Sequence, residues 1–185
     1  MTALTNPNLF VITGGPGSGK TALLRELEKN GFRCAPEVAR QIIQEQVRSC
    51  GNAVPWANRE RYTELMRKRS IQSYEEHTPS GRATFSDRGI PDTLGYARLI
   101  GLPDVRSILT ACNQYRYASL VFLAPAWKEI YETDDERKQR FDEAERTCEL
   151  VSQVYRDCGY HLLELPKVPS KDRADFVLSR LHLQT

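Results

Sequence analysis

A glycine-rich octapeptide, GGPGSGKT at residues 14–21, combines residue types that suit phosphate chemistry. It fits the spacing G-x-x-x-x-G-K-[ST], in which the glycines let successive backbone N–H groups point at phosphate oxygens. Lys20 would bridge the β- and γ-phosphates, and the hydroxyl of Thr21 would bind Mg²⁺. The motif therefore predicts that ATP or GTP binds at Gly15, Pro16, Gly17, Ser18, Gly19, Lys20 and Thr21.

A carboxylate for phosphoryl transfer follows in the stretch RATFSDRG. Asp87 directly follows a β-prone run, and open α/β sheets bind their ligands at the carboxyl ends of strands. We expect Asp87 to accept the proton of an attacking alcohol or to hold metal-bound water, which makes it both a catalytic and a metal-site residue. The alternative is a turn with a surface ion pair.

Glu37 occupies the matching place after the second strand, in CAPEVAR, with Arg40 one helical turn later. Two acidic groups at neighbouring strand ends would flank the alcohol that is phosphorylated. We therefore expect Glu37 and Arg40 to bind the substrate. The alternative for Glu37 is a favourable interaction with the dipole of the helix that begins there.

Two arginines belong to a possible lid, the region of about 126–142 that contains WKEIYETDDERKQRF. Arg137 and Arg140 lie one turn before apolar positions of a helical stripe, so both should face inward across a cleft. Guanidinium groups there would stabilise the migrating phosphoryl group, which makes both arginines candidate catalytic residues. The alternative is solvent-exposed pairing with the acidic residues of the same segment.

The elements that must position these residues alternate short apolar runs with helical periodicities. The strand candidates are residues 9–13, 32–35, 83–86, 120–124 and 160–165, and Ser170 is a candidate cap of the last helix. This alternation predicts a parallel sheet covered by helices. No repeat, low-complexity tract or linker interrupts residues 1–185, so we expect one domain.

Four stretches together resemble a known group: GGPGSGKT, EVAR at 37–40, DRGIPDTLGY at 87–96 and PAWKEIYETDDERKQRF at 125–141. They are similar to the small P-loop kinase-like NTPases, as an AAA-ATPase-like domain related to the ribosylnicotinamide kinase module of the bacterial NAD regulator. The resemblance implies a P-loop NTPase three-layer α/β/α sandwich, with a five-stranded parallel sheet in the order 2-3-1-4-5 and a helical lid. It also implies that Arg88, which follows the candidate carboxylate, binds substrate or phosphate.

Two functions fit these observations. The first is a kinase that transfers the γ-phosphoryl group of Mg-ATP to a hydroxyl of a small, nucleoside-like metabolite; Trp56, Arg59 and Tyr62 could grip that acceptor or could simply pack a helix. The second is an ATP- or GTP-dependent switch that controls a protein partner. The absence of N-K-x-D argues against a common GTPase, and the fourth strand, SLVFLAP, lacks the Asp-Glu pair of a ring motor.

Net charge and the length of apolar runs limit the kinds of partner that we expect. The net charge of +2 comes from 26 basic and 24 acidic residues, so we expect no nucleic-acid partner. No apolar run approaches the roughly 20 residues that span a bilayer, so we expect no membrane contact and a cytoplasmic location. The five cysteines show no metal-binding spacing and are expected to be free thiols.

Overall fold

The computed structural model describes residues 2–78, 81–131 and 141–183. Its strands are β1 (Leu4–Thr5), β2 (Leu9–Gly14), β3 (Arg33–Ala35), β4 (Thr84–Asp87), β5 (Tyr115–Arg116), β6 (Leu120–Ala124) and β7 (His161–Glu164). Its helices are α1 (Lys20–Lys29), α2 (Val38–Arg48), α3 (Arg59–His77), α4 (Ile90–Leu99), α5 (Arg106–Gln114), α6 (Phe141–Asp157) and α7 (Ser170–Arg180), with a 3-10 turn at Lys128–Ile130. Strands and helices thus alternate, as the sequence predicts.

The main sheet contains five parallel strands in the order β3-β4-β2-β6-β7. With the two-residue strands β1 and β5 set aside, this is the predicted order 2-3-1-4-5. Those two strands form a separate parallel pair and are too short to leave an alternating pattern in the sequence. The predicted fold class is confirmed.

The central strand β2 is buried on both faces, which explains why it is a continuous apolar run. Leu9 and Val11 point into a cluster built largely from α4, α5 and α6, whereas Ile12 points into a cluster with α1 and α7. Successive side chains of a strand alternate between its two faces, so one short run supplies both cores. The helices therefore form a layer on each side of the sheet.

Two local predictions need correction. Asp87 is the last residue of β4 rather than the residue after it, since its backbone still pairs opposite Ile12. Ser170 is the first helical residue of α7 rather than its cap. The carbonyl of Pro169 accepts the first helical hydrogen bond, from the Arg173 N–H at 3.0 Å, and no side chain caps this end.

The topology collects the candidate site at one edge of the sheet. β2 ends at Gly14 and leads through the phosphate loop to Lys20, β4 ends next to it at Asp87, and Glu37 follows β3. Arg137 and Arg140 of the predicted lid region lie outside the described residues. Within the described ranges, none of the helices is long and apolar enough to cross a membrane.

Candidate active site

The phosphate loop requires glycine because of backbone conformation and close packing. Gly17 has a φ of +71°, which side chains rarely tolerate, and a Cβ there would lie 2.5 Å from the Tyr131 ring. A Cβ on Gly14 would collide with the backbone carbonyl of Ala124 on β6. The loop is thus held between the sheet and the segment that leads into the lid region.

Lys20 turns its side chain back onto this loop. Its ammonium donates hydrogen bonds to the carbonyls of Gly14 at 3.3 Å and Gly15 at 2.8 Å, and to the Ser18 hydroxyl at 3.3 Å. Burial, together with the nearby guanidinium of Arg88, lowers the pKa of Lys20 to about 8. A phosphate chain would replace the loop carbonyls as the acceptor for this ammonium and restore its charged form.

Asp87 is buried at the carboxyl end of β4, with 5% of its surface exposed. Its Oδ1 atom has no hydrogen-bond partner among the described residues. Burial raises the pKa of this carboxyl to about 6, against the opposing effect of Lys20. A carboxylate with that pKa can accept a proton near neutral pH, because the ideal catalytic pKa lies close to the working pH.

The residues present fit a magnesium ion. Mg²⁺ usually takes one or two protein ligands and completes its shell with phosphate oxygens and water. The chain offers the exposed hydroxyl of Thr21 in the first turn of α1 and the carboxylate of Asp87 at the end of β4. No cluster of three or more His, Cys, Asp or Glu side chains that could hold a metal ion occurs in the part of the chain that the structure describes.

Arg88 and Glu37, both predicted to bind substrate, form an ion pair with each other. The Arg88 Nε donates to Glu37 Oε1 at 2.9 Å, and its Nη1 donates to the Gly14 carbonyl at 2.9 Å. Burial opposes the charge of Arg88, but Glu37, Asp92 and Asp87 outweigh it and raise its pKa. The guanidinium therefore ties the neighbouring strand ends to the phosphate loop.

The backbone of Arg88 is strained, with a φ of +71°. A non-glycine residue in the left-handed region costs about 1 to 2 kcal/mol and persists only where its surroundings enforce it. Here the Arg88 N–H donates to the Ile12 carbonyl at 3.0 Å while the side chain is held at its far end. The strained turn therefore belongs to the site.

Arg40, also predicted to bind substrate, is half-buried on α2 beside Glu37. Burial would raise the pKa of Glu37, but the charges of Arg88, Lys20 and Arg40 lower it overall. Glu37 is therefore an ionised carboxylate between cations at neutral pH. Its role in the geometry is to hold Arg88, and it does not cap α2 with its side chain.

Asp92, which the sequence reasoning did not single out, is the centre of a buried network. One of its oxygens accepts from Thr13 Oγ1 at 2.6 Å and Arg88 Nη1 at 3.1 Å. The other accepts from the Gly89 N–H at 2.8 Å and the Tyr155 hydroxyl at 2.6 Å. One carboxylate therefore joins β2, the β4–α4 turn and α6, which makes it a positioning residue for Arg88.

Arg173 is a second residue that the sequence did not reveal. It lies on α7 with 1% of its surface exposed, and it donates to the carbonyls of Ser18 at 2.7 Å and Pro166 at 2.8 Å. Its guanidinium stacks over the Trp127 ring at 4.8 Å, and burial lowers its pKa. Arg173 thus joins the phosphate loop to the segment after β7.

A narrow cleft, partly open to solvent, begins at Asp87 and runs between α2, α3 and α4. Met66, Ser70 and Thr93 contribute to its walls. Of the three residues considered for an acceptor, Trp56 precedes α3 and is 64% exposed, whereas Tyr62 is buried against Tyr96. Trp56, Arg59 and Tyr62 are all absent from the residues that line the cleft. The position of Tyr62 therefore fits a role in packing α3 better than a role in binding the acceptor.

Comparison with known families gives this geometry a context. The family model of an AAA domain, AAA_28, matches residues 9–173, nearly the whole chain. The chain belongs to this AAA domain family. Within it, the predicted resemblance to small P-loop kinase-like NTPases is confirmed. A search of curated proteins found no match to the chain.

Solved structures agree on the fold of this AAA domain. A structure of NadR protein in complex with NR superposes with a TM-score of 0.71 at 16% identity over 95% of this chain, which spans only 50% of that one. Thymidylate kinase from Ehrlichia chaffeensis gives 0.62 at 14% identity over 96% of this chain and 100% of that chain. Shikimate kinase from Acinetobacter baumannii gives 0.54 at 18% identity, covering 96% and 93%. At these identities the likeness shows the fold.

Proposed function

We propose that the chain is a phosphotransferase that moves the γ-phosphoryl group of Mg-ATP to a hydroxyl of a small, nucleoside-like metabolite. One observation supports this most strongly. Asp87, with its unpaired Oδ1 atom and a pKa of about 6, ends the strand next to the phosphate loop. A nucleotide switch needs the loop, whereas a positioned base next to it is what an alcohol acceptor needs.

In the proposed reaction, the loop from Gly15 to Thr21 binds the triphosphate through its N–H groups and Lys20. The acceptor oxygen bonds to the γ-phosphorus, the bond from that phosphorus to the β–γ bridging oxygen breaks, and the hydroxyl proton passes to Asp87. ADP and a phosphate monoester leave. Bound at Thr21 and Asp87, Mg²⁺ would neutralise phosphate charge.

In this proposal the arginines have catalytic and positioning roles. Arg137 and Arg140 would stabilise the migrating phosphoryl group from the lid, as the resemblance implies. Arg88 would keep the β4 turn in register with the loop, with Glu37 and Arg40 beside it. We further propose that residues 1–185 act as one nucleotide-binding domain and that the reaction is cytoplasmic.

Acceptor-dependent ADP formation tests the proposal. Purified protein with Mg-ATP should hydrolyse ATP slowly alone and release ADP at least about tenfold faster with a suitable alcohol. The product should carry the γ-phosphate of labelled ATP. If no member of a broad alcohol panel increases ADP release, the phosphotransferase proposal fails.

A nucleotide-dependent switch remains the second candidate, and one contact favours it. The Tyr131 ring lies against Gly17, and Ile130 Cδ1 would lie 3.1 Å from a Cβ on Gly19. The segment leading into the lid region therefore contacts the loop and would respond to a bound phosphate. ATP- or GTP-dependent protein binding without acceptor-dependent ADP would support this function instead.

A further inference from the structure

We infer that Thr93 is the second acceptor-binding residue and that, with Asp87, it selects an alcohol without negative charge. The inference rests on the proposed phosphoryl transfer and assigns the part of the cleft that recognises the acceptor. Thr93 follows Asp92 in the first two turns of α4, six positions after Asp87. Both residues line the same cleft.

The two residues share an unusual property. Thr93 is 1% exposed and Asp87 is 5% exposed, yet Thr93 Oγ1 and Asp87 Oδ1 both lack a hydrogen-bond partner within the described residues. Buried polar atoms are nearly always paired, and an unpaired one costs stability. Two such atoms in one cleft indicate a ligand that pairs with both.

Their chemistry specifies what that ligand offers. A carboxylate only accepts hydrogen bonds, so Asp87 requires a donor, which the reacting hydroxyl supplies. The Thr93 hydroxyl both donates and accepts, so it can hold the same hydroxyl or its neighbour on the acceptor. A polyol or riboside with adjacent hydroxyl groups satisfies both atoms.

The charges of the cleft argue against an anionic acceptor. The charged residues lining it are the carboxylates Asp87 and Asp92 and the single guanidinium Arg88, within the parts of the chain described here. Arg88 already donates to Glu37, Asp92 and Gly14. A phosphate or carboxylate on the acceptor would therefore meet two carboxylates and a guanidinium whose charge is already balanced.

The other residues that line the cleft carry no charge. Ser70, Ser73 and Ser86 contribute small hydroxyl-bearing side chains, and Met66 supplies an adaptable apolar surface. Such walls admit a neutral or cationic alcohol at little cost. The acceptor class is therefore an uncharged or cationic polyol or riboside.

Matched acceptor pairs test the charge selection. ADP release from Mg-ATP is measured with adenosine, uridine, thymidine, choline and nicotinamide riboside, and in parallel with AMP, UMP, TMP and shikimate. We expect acceptor-dependent ADP only in the first group. Turnover confined to the anionic group would overturn this inference and leave the phosphotransferase intact, whereas no turnover with either group would overturn both.

The variant Thr93→Val tests the residue itself, with Thr93→Ser as the rescue and Thr110→Val as the matched control. Thr110 is exposed on α5 and bonds the Arg106 carbonyl, away from the cleft. For Thr93→Val we expect about a tenfold lower kcat/KM for the acceptor, an unchanged Kd for Mg-ATP, and restoration by Ser.

Thermal unfolding separates this role from a structural one. Removing a hydroxyl that has no partner should leave the Tm of Thr93→Val unchanged or higher. A lower Tm with unchanged acceptor kinetics would assign Thr93 to the fold and overturn the inference.

Discussion

The phosphate loop and the Asp87 cleft lie at the same edge of the sheet but differ in how their polar groups are paired. In the loop, Lys20 bonds two carbonyls and the Ser18 hydroxyl, which donates in turn to Gly15. In the cleft, Asp87 and Thr93 each keep a buried oxygen without a partner in the described chain. In the proposed reaction the loop would bind the phosphates, whereas the cleft would recognise the acceptor.

Removing Lys20 should have the largest effect. Lys20→Ala eliminates the cation that would follow the transferring phosphoryl group, and we expect kcat/KM to fall by about a thousandfold. ADP release under saturating acceptor measures the loss. Lys29→Ala is the control, because Lys29 is exposed and pairs with Glu26 on the same helix. Equal activities of the two variants would contradict the role of Lys20.

Neutralising Asp87 should separate catalysis from stability. Asp87→Asn is expected to lower kcat by at least about a hundredfold while the Kd for Mg-ATP changes little. It should also raise the free energy of unfolding at pH 7 by about 1 to 3 kcal/mol, because burial raises the pKa of this carboxyl to about 6 and so disfavours its charged form. Urea unfolding measures this gain.

The raised pKa of Asp87 also predicts how this gain in the free energy of unfolding changes with pH. Between the ordinary Asp pKa and about 6, the folded protein binds more protons than the unfolded chain, so this group stabilises the fold increasingly as the pH falls through that window. The advantage of Asp87→Asn should therefore shrink towards pH 4. An advantage that grows on acidification would contradict the raised pKa.

Breaking the Asp92 network should affect both regions moderately. Asp92→Asn removes the charge that four donors share, and we expect about 2 to 4 kcal/mol of destabilisation and roughly a tenfold loss of kcat as Arg88 shifts. Tyr155→Phe should cost about 1 kcal/mol. Tyr115→Phe, which loses only an exposed bond to Glu75, serves as the control.

Proton uptake should give the smallest and most specific signal. At pH 8 about half of the Lys20 side chains are neutral, and a bound phosphate chain raises the lysine pKa again. Binding of a non-hydrolysable ATP analogue should then take up as much as about half a proton. Calorimetry in Tris and HEPES measures this uptake as a buffer-dependent heat, and Asp87→Asn should retain it; equal heats in both buffers would exclude it.

The sequence was most informative where a signal is local. The octapeptide at 14–21 has a fixed spacing, and the central strands β2 and β6 are continuous apolar runs, so both can be recognised without reference to the rest of the chain. Asp87 followed from its place at a strand end, and only its membership of β4 was misjudged by one residue. These predictions depended on neighbours a few positions away.

The missed residues depend on distant partners. Thr13 and Asp92 are 79 positions apart, and Arg173 reaches the Ser18 carbonyl across 155 positions. No spacing rule links such pairs, because the contacts exist only after the sheet has brought them together. The ion pair between Glu37 and Arg88 could not be predicted either, because the two residues are 51 positions apart; their binding of substrate stays a prediction.

The contact of Arg173 with the phosphate loop also has a consequence for folding during synthesis. The phosphate loop is synthesised before α7. Arg173, whose guanidinium donates to the carbonyls of both Ser18 and Pro166, follows Ser18 by 155 residues. A nascent chain that stops before α7 therefore lacks Arg173, the side chain that holds the phosphate loop at Ser18. The contact that braces the phosphate loop therefore forms only after α7 has been synthesised and has folded against the loop.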